Sequence, residues 1–125
     1  MAKPTYQDAT LMLQFAQWLT AAGLSEAWNW MLSDEFVPDY AGFMEKYPPG
    51  SEGYRKATDI CMWMETIGTL YKHGLFNEEL LFDWLAVGFM WERMKGFALG
   101  EREKLEMPAL WENFEAMARA QAAPP

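Results

Sequence analysis

The sequence has few of the residues on which most catalytic and metal sites depend. Its 125 residues include one histidine, His73, and one cysteine, Cys61. A lone cysteine cannot form an internal disulfide or a cysteine metal site, and this usage fits a reducing compartment. His73 falls in the last turn of a predicted helix, where a polar side chain suits the free carbonyls. We expect His73 to cap that helix and Cys61 to be a small buried residue. The sequence therefore predicts no catalytic residue and no cofactor.

Positive charge is also scarce. Ten Lys and Arg stand against 18 Asp and Glu, and the stretch from Pro4 to Glu45 has no Lys or Arg at all. Binding to nucleic acid through phosphates needs clustered basic residues, and an anionic membrane would repel this stretch. We expect neither nucleic acid nor a membrane as partner. A solvated acidic surface is the favoured interpretation; the alternative is that Pro4 to Glu45 acts as an acidic decoy for a nucleic-acid-binding partner.

Long hydrophobic runs are missing. A membrane-spanning helix needs roughly 18 or more consecutive apolar residues, but the charge-free run from Ala9 to Ser25 contains several Thr and Gln residues. Lys3 and Asp8 make the start of the chain a poor match to a secretory leader. The sequence therefore predicts a soluble cytoplasmic protein.

Aromatic residues and methionine are abundant. Seven Trp, eight Phe, five Tyr and ten Met exclude a disordered chain, since disordered segments lack such residues. The length indicates one domain, over residues 1–125, and a chain of this size buries about two-thirds of its surface.

The spacing of apolar residues predicts an all-α fold. The longest helix runs from Ser51 to His73 and ends at Gly74. A second long helix, capped by Asn77, extends to about Lys95. Because Gly74 and Leu75 form a short connection, these two should be antiparallel neighbours. Shorter helices are expected from Thr5 to Gly23, from Ser25 to Leu32, from Asp39 to Tyr47 and from Pro108 to Ala118, with a frayed tail from Gln121 to Pro125. The prediction is a compact bundle of five to six helices built on a central antiparallel helical hairpin.

The helix from Asn77 to Lys95 is apolar almost all round, so either neighbouring helices or a partner chain must cover it. We favour a non-enzymatic interaction module that self-associates, most simply as a two-fold homodimer, with another protein as a further partner. The candidate interface residues are Met62, Trp84, Phe89 and Trp91.

Two pairs of glutamates offer an alternative. Glu103 with Glu106, and Glu112 with Glu115, are spaced to share a helix face, and facing pairs could bind Mg²⁺ as in a magnesium-dependent nucleotide hydrolase. However, Pro108 separates the pairs, and basic residues alternate with Glu101 to Glu106. We favour a solvated charged face and no metal.

Three segments resemble a known family. They are YPPGS (Tyr47 to Ser51), ETIGTLYKHGLFNEELLFDWLA (Glu65 to Ala86) and ALWENFEAMA (Ala109 to Ala118). They are similar to a family of small all-helical prokaryotic proteins catalogued as a domain of unknown function, over roughly residues 40–118. The resemblance implies a helical fold and no particular activity, substrate or catalytic residue.

Overall fold

A computed structural model describes residues 2–124, which form seven α-helices and no strand. The helices are α1 (Tyr6–Ala21), α2 (Leu24–Met31), α3 (Tyr40–Lys46), α4 (Glu52–Lys72), α5 (Glu78–Trp84), α6 (Val87–Lys104) and α7 (Glu112–Ala122). The all-α class is therefore confirmed. The expected number of five to six helices is wrong for this part of the chain.

Most helix starts are where the sequence predicts them. At four helix starts, a side-chain oxygen of the N-cap residue accepts a hydrogen bond from the backbone N–H three residues later. These N-cap residues are Thr5, Asp39, Ser51 and Asn77. Each satisfies an N–H that the first helical turn leaves without a partner. Ser25 is an exception, because α2 begins one residue earlier, after Gly23 in the left-handed conformation (φ 72°).

The end of α4 also follows the prediction. Gly74 has a φ of 71°, a region that glycine enters without strain. The N–H of Leu75 donates to the carbonyl of Leu70 at 2.8 Å, and the N–H of Gly74 donates to the carbonyl of Tyr71 at 3.0 Å. This pair of bonds is the Schellman arrangement, which satisfies carbonyls at a helix end.

The helix predicted from Asn77 to Lys95 is in fact two helices. Leu85, in extended conformation, ends α5, and α6 begins at Val87 and continues past both Gly96 and Gly100. These glycines do not end the helix. A Cβ on Gly96 would collide with the carbonyl oxygen of Pro38, and one on Gly100 with the ring of Tyr40. They allow the segment leading into α3 to lie directly against α6.

Helix α4 is at the centre of the domain. It packs most extensively against α7 and also against α2, whereas α6 packs against α7 and α3. A Cβ on Gly68 would lie 2.7 Å from the backbone of Asn113, so a glycine permits the close crossing of α4 and α7. The predicted central hairpin is not confirmed, because α7 is the main neighbour of α4. Most apolar residues of α6 are buried within the chain. Neighbouring helices therefore cover most of the apolar surface of α6 for which the sequence suggested a partner chain.

The last helix begins later and ends later than expected. Pro108 lies in a turn, and α7 begins at Glu112 after Trp111 in the left-handed conformation. Gln121 and Ala122, which we expected in a frayed tail, belong to α7. Pro125, the last residue of that expected tail, lies outside the described residues.

Candidate functional site

A cluster of tryptophan rings lies where α1, α2, α4 and α5 meet. Trp63 of α4 is buried, and its ring meets those of Trp28 and Trp84 edge-on, with centroid distances of 5.6 and 5.8 Å. Its Nε1 donates a hydrogen bond to the carbonyl oxygen of Phe15 at 3.2 Å. Edge-to-face contacts of this kind are favourable and directional. The cluster is therefore held in one arrangement by packing and by a hydrogen bond to α1.

An open groove of about 400 Å³ lies beside the tryptophan cluster. The three indoles line it together with Leu19, Leu85 and the polar side chains of Ser25 and Asn29. None of the described residues that line it is charged, although the chain as a whole has a net charge of −8. Ligand sites in proteins share this volume and this mostly apolar lining with a few polar groups. We call this feature the tryptophan groove.

Gln121 of α7 holds the backbone that forms one wall of the tryptophan groove. Its Nε2 donates to the carbonyls of Leu85 at 2.8 Å and Phe82 at 3.3 Å, and its Oε1 accepts the N–H of Gly88 at 2.9 Å. The break between α5 and α6 leaves these backbone groups without helical partners. One side chain thus satisfies three backbone groups and fixes the position of Trp84 and Leu85.

The outer face of α1 is a second candidate surface, beside the tryptophan groove. Phe15 is the only residue of α1 that is buried, whereas Tyr6 is 95% exposed and Leu13 is 57% exposed. Helical spacing puts one set of residues on the solvent side: Tyr6, Thr10, Leu13 and Gln17. No charged residue occurs from Ala9 to Ser25. This face therefore combines two exposed apolar side chains, Tyr6 and Leu13, with two uncharged polar ones.

The four interface candidates predicted from the sequence lie in different surroundings. Met62 on α4 is 50% exposed and Phe89 on α6 is 54% exposed. Trp84 is partly buried and lines the tryptophan groove. Trp91 is buried, and its ring packs edge-on against Phe114 with a centroid distance of 5.0 Å. Two of the four are therefore well exposed, and Trp91 belongs to the packing of α6 against α7.

The four glutamates of the magnesium alternative are not brought together. Glu103 is on α6 and Glu106 follows its end, with a φ of 54°. Glu115 is paired with Arg102 at 3.0 Å and with Arg119 at 2.8 Å. Among residues 2–124, no three His, Cys, Asp or Glu side chains form a group that could hold a metal ion. The carboxylate of Glu115 is thus engaged in ion pairs with two arginines.

The acidic residues between Pro4 and Glu45 are largely engaged within the chain. Asp8 and Asp39 take part in the caps of α1 and α3. Glu26 pairs with Lys56 at 3.3 Å, and Glu35 pairs with Lys46 at 3.2 Å. These contacts give most of the acidic side chains of this stretch roles within the chain.

Glu101 is a buried carboxylate that the sequence reasoning missed. It is 3% exposed, and its oxygens accept hydrogen bonds from the hydroxyls of Tyr40, at 2.7 Å, and Tyr54. Burial, reinforced by these hydrogen bonds, raises the pKa of Tyr54 to about 12 and also raises the pKa of Tyr40. Both hydroxyls stay protonated at neutral pH and tie α3 and α4 to α6. Helical spacing from Met94 through Phe97 could have placed Glu101 on the inner face.

Glu65 of α4 caps α7 from outside that helix. Its Oε1 accepts the backbone N–H groups of Asn113 at 3.0 Å and Phe114 at 2.9 Å. Trp111, the residue before α7, supplies no side-chain cap. Burial raises the pKa of Glu65, and the two N–H donors oppose that shift. Glu65 therefore joins the two helices that form the centre of the domain.

The match to one protein family, like the fold, covers nearly the whole chain. A family model described as a domain of unknown function, DUF4760, matches residues 4–121. The chain belongs to the DUF4760 family. The similarity noted from three segments is thus confirmed, and it reaches beyond residues 40–118 at both ends. No curated protein and no solved structure matches the chain.

The lone histidine and cysteine have the expected surroundings. His73 is exposed and is the C-cap residue of α4. Cys61 is buried in the core, and burial raises the pKa of its thiol, so it stays uncharged. Within the described chain, no helix is both long enough and apolar enough to cross a membrane.

Proposed function

We propose that this chain is an interaction module that forms a two-fold homodimer through the outer face of α1. The observation that carries the proposal is the exposure of Tyr6 and Leu13 on a helix with no charge from Ala9 onwards. The proposal keeps the self-association expected from the sequence and moves it from the Met62 and Phe89 surfaces to α1.

The absence of charge on this face permits a second copy to approach it. Two chains of net charge −8 repel each other, so the surface on which they meet must be free of carboxylates. The outer face of α1 meets that condition. Leu13 also lies near the middle of α1. A two-fold axis passing there would pair the two helices antiparallel, with Leu13 against its own copy and Tyr6 near Thr20 of the second chain.

The expected affinity is modest. Full burial of a leucine contributes about 1.5–3 kcal/mol, and Leu13 has a little over half of its surface left to bury. The two copies of Leu13 would then contribute about 2–3 kcal/mol together. With the tyrosines added and the entropic cost of association subtracted, one pair of helices should give a dissociation constant of roughly 0.1–1 mM.

The test is sedimentation velocity over a range of protein concentrations with the Leu13→Glu variant. This change brings two carboxylates together at the axis, where burial would cost several kcal/mol, so the variant should stay monomeric where the parent dimerises. Leu75→Glu is the matched control, since Leu75 is 61% exposed in the turn after α4. It should dimerise like the parent.

Two further variants distinguish α1 from the surfaces predicted from the sequence. Met62→Glu and Phe89→Glu should leave dimerisation unchanged. If either of them dissociates the dimer while Leu13→Glu does not, the contact lies on α4 or α6 and the α1 proposal is wrong. A parent that stays monomeric at high concentration would refute self-association itself.

A further inference from the structure

We infer that the tryptophan groove is a binding site for an uncharged planar ligand of about two fused rings that carries a hydrogen-bond acceptor. This inference does not depend on the proposed dimer. The groove is lined by Ala16, Leu19 and Thr20 of α1; Thr20 also borders the proposed dimer contact, so binding is tested on a chain that carries Leu13→Glu.

The size of the groove sets the size of the ligand. Its volume is about 400 Å³, and a buried cavity of about 150 Å³ is enough for one benzene ring. Two fused rings with a substituent therefore fit. Two of the lining residues, Ala16 and Ser25, are small, so a larger side chain at either position would take up part of this space.

The lining sets the polarity of the ligand. Apolar and aromatic groups dominate it, and a flat ring can stack on or meet the indoles edge-on as they already meet each other. No charged group among the described lining residues is available to pair with an ionised ligand. Removing an ionic group from water without a partner is costly, so the groove selects an uncharged molecule.

Donors for a ligand acceptor come from the indoles. Trp30 and Trp63 donate their Nε1–H to Tyr47 and to Phe15. By contrast, the indoles of Trp28 and Trp84 donate no such hydrogen bond within residues 2–124. The hydroxyl of Ser25 and the amide of Asn29 also line the groove. These groups are the donors available to a carbonyl or hydroxyl on the ligand.

The walls are preformed. Trp63 is fixed by its hydrogen bond to α1, and Gln121 fixes the backbone beside Trp84 and Leu85 through three hydrogen bonds. A site that is already ordered loses little conformational entropy when it binds. The broken helix thus has a consequence for binding, because a continuous helix would not put Leu85 in extended conformation at the groove.

The experiment is an NMR titration of the ¹⁵N-labelled Leu13→Glu variant with 2-naphthol, monitored through the tryptophan indole N–H signals. If Leu13→Glu does not change the oligomeric state, the same titration is done on the parent chain. The signals of Trp28 and Trp84, assigned from Trp28→Phe and Trp84→Phe, should move and saturate. The signal of Trp30, which is bonded to Tyr47, should stay in place. The charged analogue 2-naphthoate should bind at least about tenfold more weakly.

Ala16→Leu places a larger side chain in the groove and should weaken 2-naphthol binding at least about tenfold. Ala21→Leu, the same change at an exposed position of α1 that does not line the groove, should bind like the parent. Ser25→Leu serves as a second filled variant, for use if Ala16→Leu lowers the melting temperature. Any one of three results would overturn the inference. They are equal binding of 2-naphthol by the parent and the filled variants, equal binding of 2-naphthoate and 2-naphthol, and the absence of a saturable shift at Trp28 and Trp84.

Discussion

Replacing Gln121 tests whether one side chain holds the break between α5 and α6. In Gln121→Leu the volume of the side chain is nearly kept, but all three hydrogen bonds to Phe82, Leu85 and Gly88 are lost. The two carbonyls and the N–H then have no partner in the chain. The expected result is a less stable domain in which Trp84 is less well ordered.

The size of this effect follows from the number of bonds. A net contribution of about 0.5–1.5 kcal/mol for each hydrogen bond gives a loss of about 2–4 kcal/mol for three. For a domain of 125 residues, one kcal/mol corresponds to about 4 °C in the melting temperature. The melting temperature of Gln121→Leu should therefore fall by about 8–16 °C.

The assay is thermal unfolding followed by circular dichroism, with the NMR signal of the Trp84 indole as a local probe. Gln7→Leu is the matched control, because Gln7 is an exposed glutamine of α1, and its melting temperature should change little. A melting temperature of Gln121→Leu close to that of the parent would refute the reasoning. It would show that water or a locally continuous helix satisfies these backbone groups equally well.

Two further predictions concern helix packing and pH. Gly96→Ala should lower stability by about 1–3 kcal/mol, because the new Cβ would collide with the Pro38 carbonyl. Gly88→Ala on the same helix should leave stability unchanged or raise it by up to about 1 kcal/mol, since the nearest atom to the new Cβ would be 3.8 Å away. Equal melting temperatures for the two variants would contradict the close contact at Gly96. Burial raises the pKa of Glu65 in the folded state. At a pH between the unfolded and the folded pKa, the folded state therefore binds more protons than the unfolded state, and stability falls as the pH rises. The melting temperature of the parent minus that of Glu65→Gln should therefore decrease from acid towards neutral pH. Glu65→Ala loses the cap of α7 and should be less stable than the parent by about 1–2 kcal/mol. A difference between parent and Glu65→Gln that grows as the pH rises would show that the sign of the pKa shift is wrong.

Local interactions explain why the fold class and several helix ends could be predicted. The caps at Thr5, Asp39, Ser51 and Asn77 and the glycine turn at Gly74 each involve groups within a few residues of one another. Such groups meet as soon as the helical turn forms, so their residue types and spacing carry the information.

The errors arise where a distant segment decides the local structure. Gly96 and Gly100 resemble helix ends in the sequence, but they accommodate Pro38 and Tyr40 from another part of the chain. The charged segment after Gly100 looks solvated, and only the hydroxyls of Tyr40 and Tyr54 make the burial of Glu101 favourable. Neither contact leaves a short-range signal.

The same distinction applies to the candidate site. Its aromatic composition and the charge-free stretch from Ala9 to Ser25 were evident in the sequence, because they require only counting. The grouping of Trp28, Trp63 and Trp84 around one groove depends on three helices meeting and on Gln121 reaching back from α7 to a broken helix. Sequence periodicity reports which side of a helix is apolar. Tertiary packing decides which apolar side chains remain in reach of a ligand or a second chain, because burial depends on what the other helices cover.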